Sequence, residues 1–168
     1  MVGTTIAAAT HRINQRQASC SMFEYEYPRP AVSVDIVVSR IIDGDEHILL
    51  IQRKHGPFQG SWALPGGFLD MDETLEQAAI RELKEETCLD AQSVYQIGTF
   101  SAVDRDPRSR VISTAFEATV DAAQTPQAAD DAADWQWKSL KRLVCETELA
   151  FDHKDILKVW EKKRPLHA

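Results

Sequence analysis

The residues of this chain predict a single domain of the α/β class, and three observations carry that expectation. Alternating apolar positions from Val32 to Val38 and an apolar run at Ile48–Ile51 read as strands. Between Asp72 and Thr87 the apolar period changes to that of a helix. The length of 168 residues, 43% hydrophobic and 27% charged, falls within the range of one compact domain. At this size folding buries roughly 70% of the surface of the unfolded chain, so a core forms without a disulfide framework or structural metal.

Residues 1–21 include His11, Arg12 and Arg16, lack any acidic residue, and are rich in Thr, Ala, Ser and Gln. That composition suits a transit peptide. It equally suits a disordered extension, or a start codon placed too early with Met22 as the first residue. The domain is therefore assigned to 22–168. Val32, Val34, Ile36 and Val38 alternate with Ser33, Asp35 and Val37, which predicts a half-buried strand. Asp43-Gly44-Asp45 marks a turn, so Ile48–Ile51 is expected to return as the hairpin partner. After a loop at Lys54–Gln59, the stretch Trp62–Phe68 contains Gly66 and Gly67, which allow close backbone approach.

The helix places Leu75, Ala79 and Leu83 on one face, with Ala78 and Ile80 beside them and Asp72-Glu73 at its positive end. Trp135 and Trp137 share one face of a late strand and read as packing groups. Residues 152–164 form an amphipathic closing helix, with Asp152 as its cap and Lys162, Lys163 and Arg164 where the dipole favours cations.

A formal net charge of −7 argues against nucleic acid as a partner, because duplex affinity depends on a basic face. Cys20, Cys88 and Cys145 are odd in number and far apart, as in a reducing compartment, so a cytoplasmic location is expected. The longest apolar run is far shorter than the ~20 residues of a membrane helix, so no membrane association is expected.

Glu82, Glu85 and Glu86 fall on one patch at the end of the helix. Like charges at these spacings repel, and they sit at the negative end of the dipole. A hard divalent cation removes both penalties. Three glutamates alone are more often a solvated face; the whole string decides the matter. From Gly67 the chain reads five residues, Glu73, seven residues, Arg81-Glu82-Leu83, one residue, then Glu85-Glu86-Thr87-Cys88-Leu89. At average residue usage these fixed positions coincide by chance with a probability on the order of 10⁻⁶. The string resembles the box of the Nudix hydrolase family.

The resemblance implies an α/β/α sandwich with a mixed β-sheet between helices. It also implies a Mg²⁺-dependent hydrolase, with Mn²⁺ as the alternative cation, that splits a nucleoside diphosphate linked to another moiety. Carried over by position, Glu82, Glu85 and Glu86 correspond to the metal-binding carboxylates. Arg81 and Glu73 correspond to the buried pair that orients them, and Gly66 and Gly67 open the loop. Cys88 departs from the glycine most common there, where a helix ends in the left-handed conformation and a β-carbon costs ~1–2 kcal/mol.

Three stretches outside the box are similar to the ADP-ribose pyrophosphatase group: Leu50–Lys54 with Pro57–Phe68, Asp104–Ser113, and Leu149–Leu157. On that resemblance Arg53, Arg105, Arg108 and Arg110 are expected at the substrate, the last three as a cationic rim for a diphosphate. The other reading of these three is surface pairing with Asp104 and Asp106. Phe58 is a candidate stacking group, whereas Trp62 reads as packing. Asp130, Asp131 and Asp134 are the candidate acids outside the box. Asp152-His153 is not read as a dyad, since adjacent helical residues do not face each other.

The expected activity is hydrolysis of ADP-ribose to AMP and ribose 5-phosphate. Nucleoside triphosphates, NADH and nucleotide sugars are the alternative substrates. A non-catalytic ADP-ribose sensor is the alternative of another class; such regulators carry a DNA-binding domain, and few residues follow Leu157. Dimerisation is common in the group, sometimes by exchange of N-terminal strands, which marks Glu24–Pro30 as the segment to watch for a homodimer.

Overall fold

The computed structural model describes residues 25–146 and 148–163, so the readings of residues 1–21, Met22, Glu24 and Arg164 lie outside the described residues. The first strand, β1 (Ala31–Val37), runs antiparallel to the short β5 (Gly66–Phe68) on one side and parallel to β7 (Val111–Val120) on the other. β6 (Ala91–Phe100) closes this mixed sheet antiparallel to β7. At Val38 the chain leaves the first sheet. β2 (Ser39–Ile42), β4 (Trp62–Ala63) and β8 (Ala132–Ser139) all pair antiparallel with β3 (Asp45–Arg53) to make a second sheet. The two sheets meet where the Leu49 N–H donates to the Val38 carbonyl at 3.0 Å.

The expected hairpin is therefore corrected in its first arm. Ile48–Ile51 does return after the Asp43-Gly44 turn, but its hairpin partner is β2, while β1 belongs to the other sheet. Asp43 and Gly44 both have positive φ, 51° and 79°, which suits a two-residue turn between twisted strands.

The half-buried reading of β1 is corrected as well: Ser33 through Val37 are all buried. β1 is an interior strand covered on both faces. Val34, Ile36 and Val38 join Leu49, Phe116 and Leu83 in a cluster under α1 (Leu75–Thr87). Val37, Ile48, Leu50 and Ala115 face the opposite way, toward α2 (Leu140–Glu146) and α3 (His153–Lys163). Period-two alternation in the strands thus feeds two cores, and the layers read helix, sheets, helices.

The helix α1 begins two to three residues later than its acidic start suggests, because Thr74 is the N-cap and forms a capping box with Gln77. Glu73 is left free for another task. Ile80 lies on the exposed side. At the other end Cys88 takes the left-handed conformation expected of a glycine, φ 59°, with its N–H donating to the Lys84 carbonyl at 2.9 Å. In α3 the predicted Ile156, Leu157 and Trp160 are buried. Asp152 does not cap this helix with its side chain: its carbonyl accepts from the Asp155 and Ile156 N–H groups, and its carboxylate turns to Arg105. Trp135 and Trp137 pack against the α1-side core and Trp62 against the other. No helix among the described residues is long and apolar enough to cross a membrane.

Candidate active site

The last turns of α1 lie against β5, and two glycines permit the approach. A β-carbon on Gly67 would stand 2.4 Å from the Glu82 carboxyl group, and one on Gly66 would stand 2.2 Å from the Val34 carbonyl oxygen. Without those side chains the Gly66 N–H donates to Glu86 Oε2 at 2.9 Å.

Arg81 organises the remainder. Its Nε and Nη2 donate to Glu73 Oε2 and Oε1 at 2.9 and 2.5 Å, a two-pronged bond that holds the Glu73 carboxyl below the ordinary carboxylate range. Nη2 also donates to the Phe68 carbonyl at 3.0 Å, tying the helix to β5. Nη1 reaches Glu82 Oε1 at 2.7 Å and Glu85 Oε2 at 3.1 Å. The five residues Glu73, Arg81, Glu82, Glu85 and Glu86 are thus brought together, joined to Gly66 and Gly67.

One arginine does not compensate this much negative charge. Burial pushes the Glu82 carboxyl up to about 7 against the pull of Arg81, with Glu85 and Glu73 adding to the rise. Glu86 is pushed up to about 8, first by burial and then by Glu82 and Asp131, although Gly66 and Arg53 oppose it. Among the described residues no three acidic, histidine or cysteine side chains close around one point, since Arg81 draws Glu82 and Glu85 aside. The donor set nonetheless suits a hard cation: all ligand atoms are carboxylate oxygens, and two of these groups carry charge that burial disfavours.

Beside the carboxylates a pocket opens between β1, β5, the end of β3 at Arg53, the loop at residues 101–110, and Phe151 with His153 at the start of α3. Arg53 and Arg108 face it. The Arg53 Nε donates to the Pro57 carbonyl at 2.9 Å while its guanidinium lies 4.9 Å from the Phe151 ring centroid. Arg108 lies over Phe68 at 5.3 Å and pairs with Asp106 at 2.7 Å. Asp106 is buried, so this is not an exposed surface pair. Phe58, exposed and outside the pocket lining, stands edge-on to Phe151 at 4.8 Å.

Of the other two expected rim arginines, Arg105 also lines the pocket but is buried, and Asp152 accepts from its Nε and Nη2 at 2.9 and 2.6 Å and Asp35 from its Nη2 at 3.0 Å. Its charge is already answered by two carboxylates. Arg110 folds back on its own loop, donating to the carbonyls of Ser101, Ala102 and Val111, and does not line the pocket. Of the candidate acids outside the box, Asp131 exerts its charge on Glu86 and Asp130 lends its carbonyl to the Lys54 ammonium, whereas Asp134 lies within β8 and accepts from the Trp135 N–H.

Asp35 and His153 line the same pocket; the sequence placed Asp35 only as an alternating strand position and considered His153 only as a partner of Asp152. The only sign of Asp35 is a carboxylate inside an apolar strand; His153 faces Asp35 at 3.1 Å across 118 positions and has no local signature.

Comparison with known proteins fits this geometry. Residues 30–160 match the NUDIX domain. The chain belongs to the Nudix family. Nudix hydrolases generally use divalent cations. An ADP-ribose pyrophosphatase of Methanocaldococcus jannaschii is 46% identical over 132 residues, covering 79% of this chain and 73% of its own length. An ADPR responsive transcriptional repressor of Acinetobacter baylyi is 32% identical over 151 residues, which are 87% of this chain but 60% of the repressor. Among solved structures, the NUDIX domain of Shewanella oneidensis NrtR complexed with ADP ribose superposes with a TM-score of 0.74 at 31% identity, covering 82% of this chain and 90% of that one.

Proposed function

We propose that this Nudix hydrolase splits ADP-ribose into AMP and ribose 5-phosphate with Mg²⁺, by attack of water on one diphosphate phosphorus and release of the other phosphate as leaving group. The observation that carries the reading is the juxtaposition of the under-compensated Glu82 and Glu86 with a pocket flanked by Arg53, Arg108 and aromatic rings. Glu82, Glu85 and Glu86 hold the cation, which supplies charge neutralisation for the diphosphate and a more acidic bound water. Glu73 fixes Arg81, and Arg81 orients Glu82 and Glu85, which with Glu86 would hold the cation. Arg53 and Arg108 bind diphosphate oxygens, with their stems and planes supported by Phe68 and Phe151. Arg105 serves the pocket as a buried part of its lining, and Arg110 supports its own loop. A homodimer and a cytoplasmic location belong to the same proposal.

The test is a panel of ADP-ribose, nucleoside triphosphates, NADH and nucleotide sugars, incubated with and without millimolar Mg²⁺ and resolved by chromatography. ADP-ribose consumed fastest, with AMP formed only when Mg²⁺ is present, supports the reading. Tight, metal-independent ADP-ribose binding without turnover replaces it with a sensor, the property in the name of the Acinetobacter relative.

A further inference from the structure

One wall of the pocket is a largely buried polar cluster to which the proposed chemistry assigns no reacting group. It joins Asp35 of β1, Ser113 of β7, Arg105 from the loop before β7, and Asp152 with His153 at the start of α3. Asp35 Oδ2 accepts from Ser113 Oγ at 2.6 Å and Arg105 Nη2 at 3.0 Å, while Oδ1 faces His153 Nε2 at 3.1 Å. On the other side of the ring, the backbone N–H of Leu64 donates to His153 Nδ1 at 2.9 Å. A nitrogen that accepts cannot carry the proton, so the proton sits on Nε2 and is donated to Asp35. The imidazole is thereby pinned between a carboxylate and one backbone amide.

That amide lies two residues before Gly66. The Leu64-Pro65-Gly66 segment is held at three successive points: Leu64 N–H by His153, the Pro65 carbonyl by the Ile36 N–H at 2.8 Å, and Gly66 N–H by Glu86 Oε2 at 2.9 Å. Removing the first hold frees the segment that orients the Glu86 carboxylate. We infer that His153 is a positioning residue for the cation site, acting through the Leu64 amide and Gly66 on Glu86. The inference rests on Glu86 as a cation ligand, as proposed above. Two carboxylates paired with Arg105 keep the ring's support rigid from below.

Two substitutions separate the faces of the ring. H153N retains an acceptor near the Nδ1 position for Leu64 and drops the donor to Asp35; H153Q retains a donor near Nε2 and drops the acceptor for Leu64. Mn²⁺ is titrated calorimetrically into the full chain and both variants, with S113A as a control that removes a bond to Asp35 remote from Leu64. H153Q is expected to weaken Mn²⁺ binding by about tenfold, the range of outer-shell losses, and H153N by less than about threefold, although both lower the melting temperature. S113A lowers the melting temperature and leaves Mn²⁺ affinity as in the parent chain. Equal Mn²⁺ affinities for H153N and H153Q overturn the inference, as does an S113A loss equal to that of H153Q, since affinity then follows stability. A parent chain that binds Mn²⁺ without hydrolysing ADP-ribose, with the H153Q loss intact, leaves the inference standing and removes the substrate reading alone. A parent chain that binds no Mn²⁺ removes both.

Discussion

Asp35 and Glu86 are buried in two different carboxylate clusters, one around Arg105 and His153 and one on α1, and the two are electrostatic opposites. Asp35 is 7% exposed, yet its carboxyl is held down at about 2, because His153, Arg105 and Ser113 together outweigh a burial that by itself would raise it. Glu86 is 5% exposed and is pushed up to about 8. Burial acts in the same direction on both; the difference is the number of donors. Asp35 accepts three side-chain contacts from two cations or donors and a hydroxyl, whereas Glu86 accepts one backbone N–H. A fully answered charge is scaffolding, and an under-answered one is a site awaiting a ligand.

Breaking the answered cluster has the largest expected effect. R105M removes the buried cation shared by the buried Asp35 and the half-buried Asp152 and is expected to cost about 3–5 kcal/mol of unfolding free energy, measured by urea denaturation. A loss below about 1 kcal/mol, the range of an exposed pair, erases the contrast between the clusters.

The same change of one partner in the under-answered cluster falls on chemistry. E86Q is expected to lower kcat on ADP-ribose by at least about 10²-fold while circular dichroism and melting stay near those of the parent chain. Near-parental turnover removes Glu86 from the site.

The pH dependence sharpens the comparison. Asp35 titrates at about 2 in the folded chain against an ordinary 3.8, so its contribution is present above pH 4 and is lost as the pH falls toward 2. The acid loss attributable to Asp35 is about 2–3 kcal/mol, and it is to be absent from the pH profile of D35N. The same acid limb in D35N assigns the loss to other carboxylates.

The smallest effect concerns the helix end that links the clusters to the fold. Cys88 holds φ 59°, so C88G relieves a β-carbon in the left-handed region and is expected to stabilise the chain by up to about 1 kcal/mol. A markedly lowered melting temperature contradicts this.

How much was legible in the sequence follows the range of the interactions. The carboxylate patch was readable because helical spacing alone puts Glu82, Glu85 and Glu86 together, and the left-handed end at Cys88 was readable from its place after the last turn. The β2–β3 turn was readable from Asp43-Gly44. What escaped was long-range. Whether β1 is an edge or an interior strand depends on β5 and β7, so alternation alone put Asp35 outside when both faces of its strand are covered. The closeness of Arg105, Arg108 and Arg110 in one loop suggested a common rim, but a loop has no fixed period: one guanidinium goes inward to Asp35 and Asp152, one faces the pocket, and one returns to its own loop's carbonyls. Glu73 was assigned correctly to Arg81, yet its place just before Thr74 rather than inside the helix came from the capping box.

The central claim is that the under-answered carboxylates serve diphosphate hydrolysis. It is tested most directly by following AMP release from ADP-ribose by the purified chain in Mg²⁺, then in excess chelator, with E86Q alongside. The account predicts AMP and ribose 5-phosphate in equal amounts from the parent chain in Mg²⁺, and almost none in chelator or from E86Q. AMP released equally in all three contradicts it.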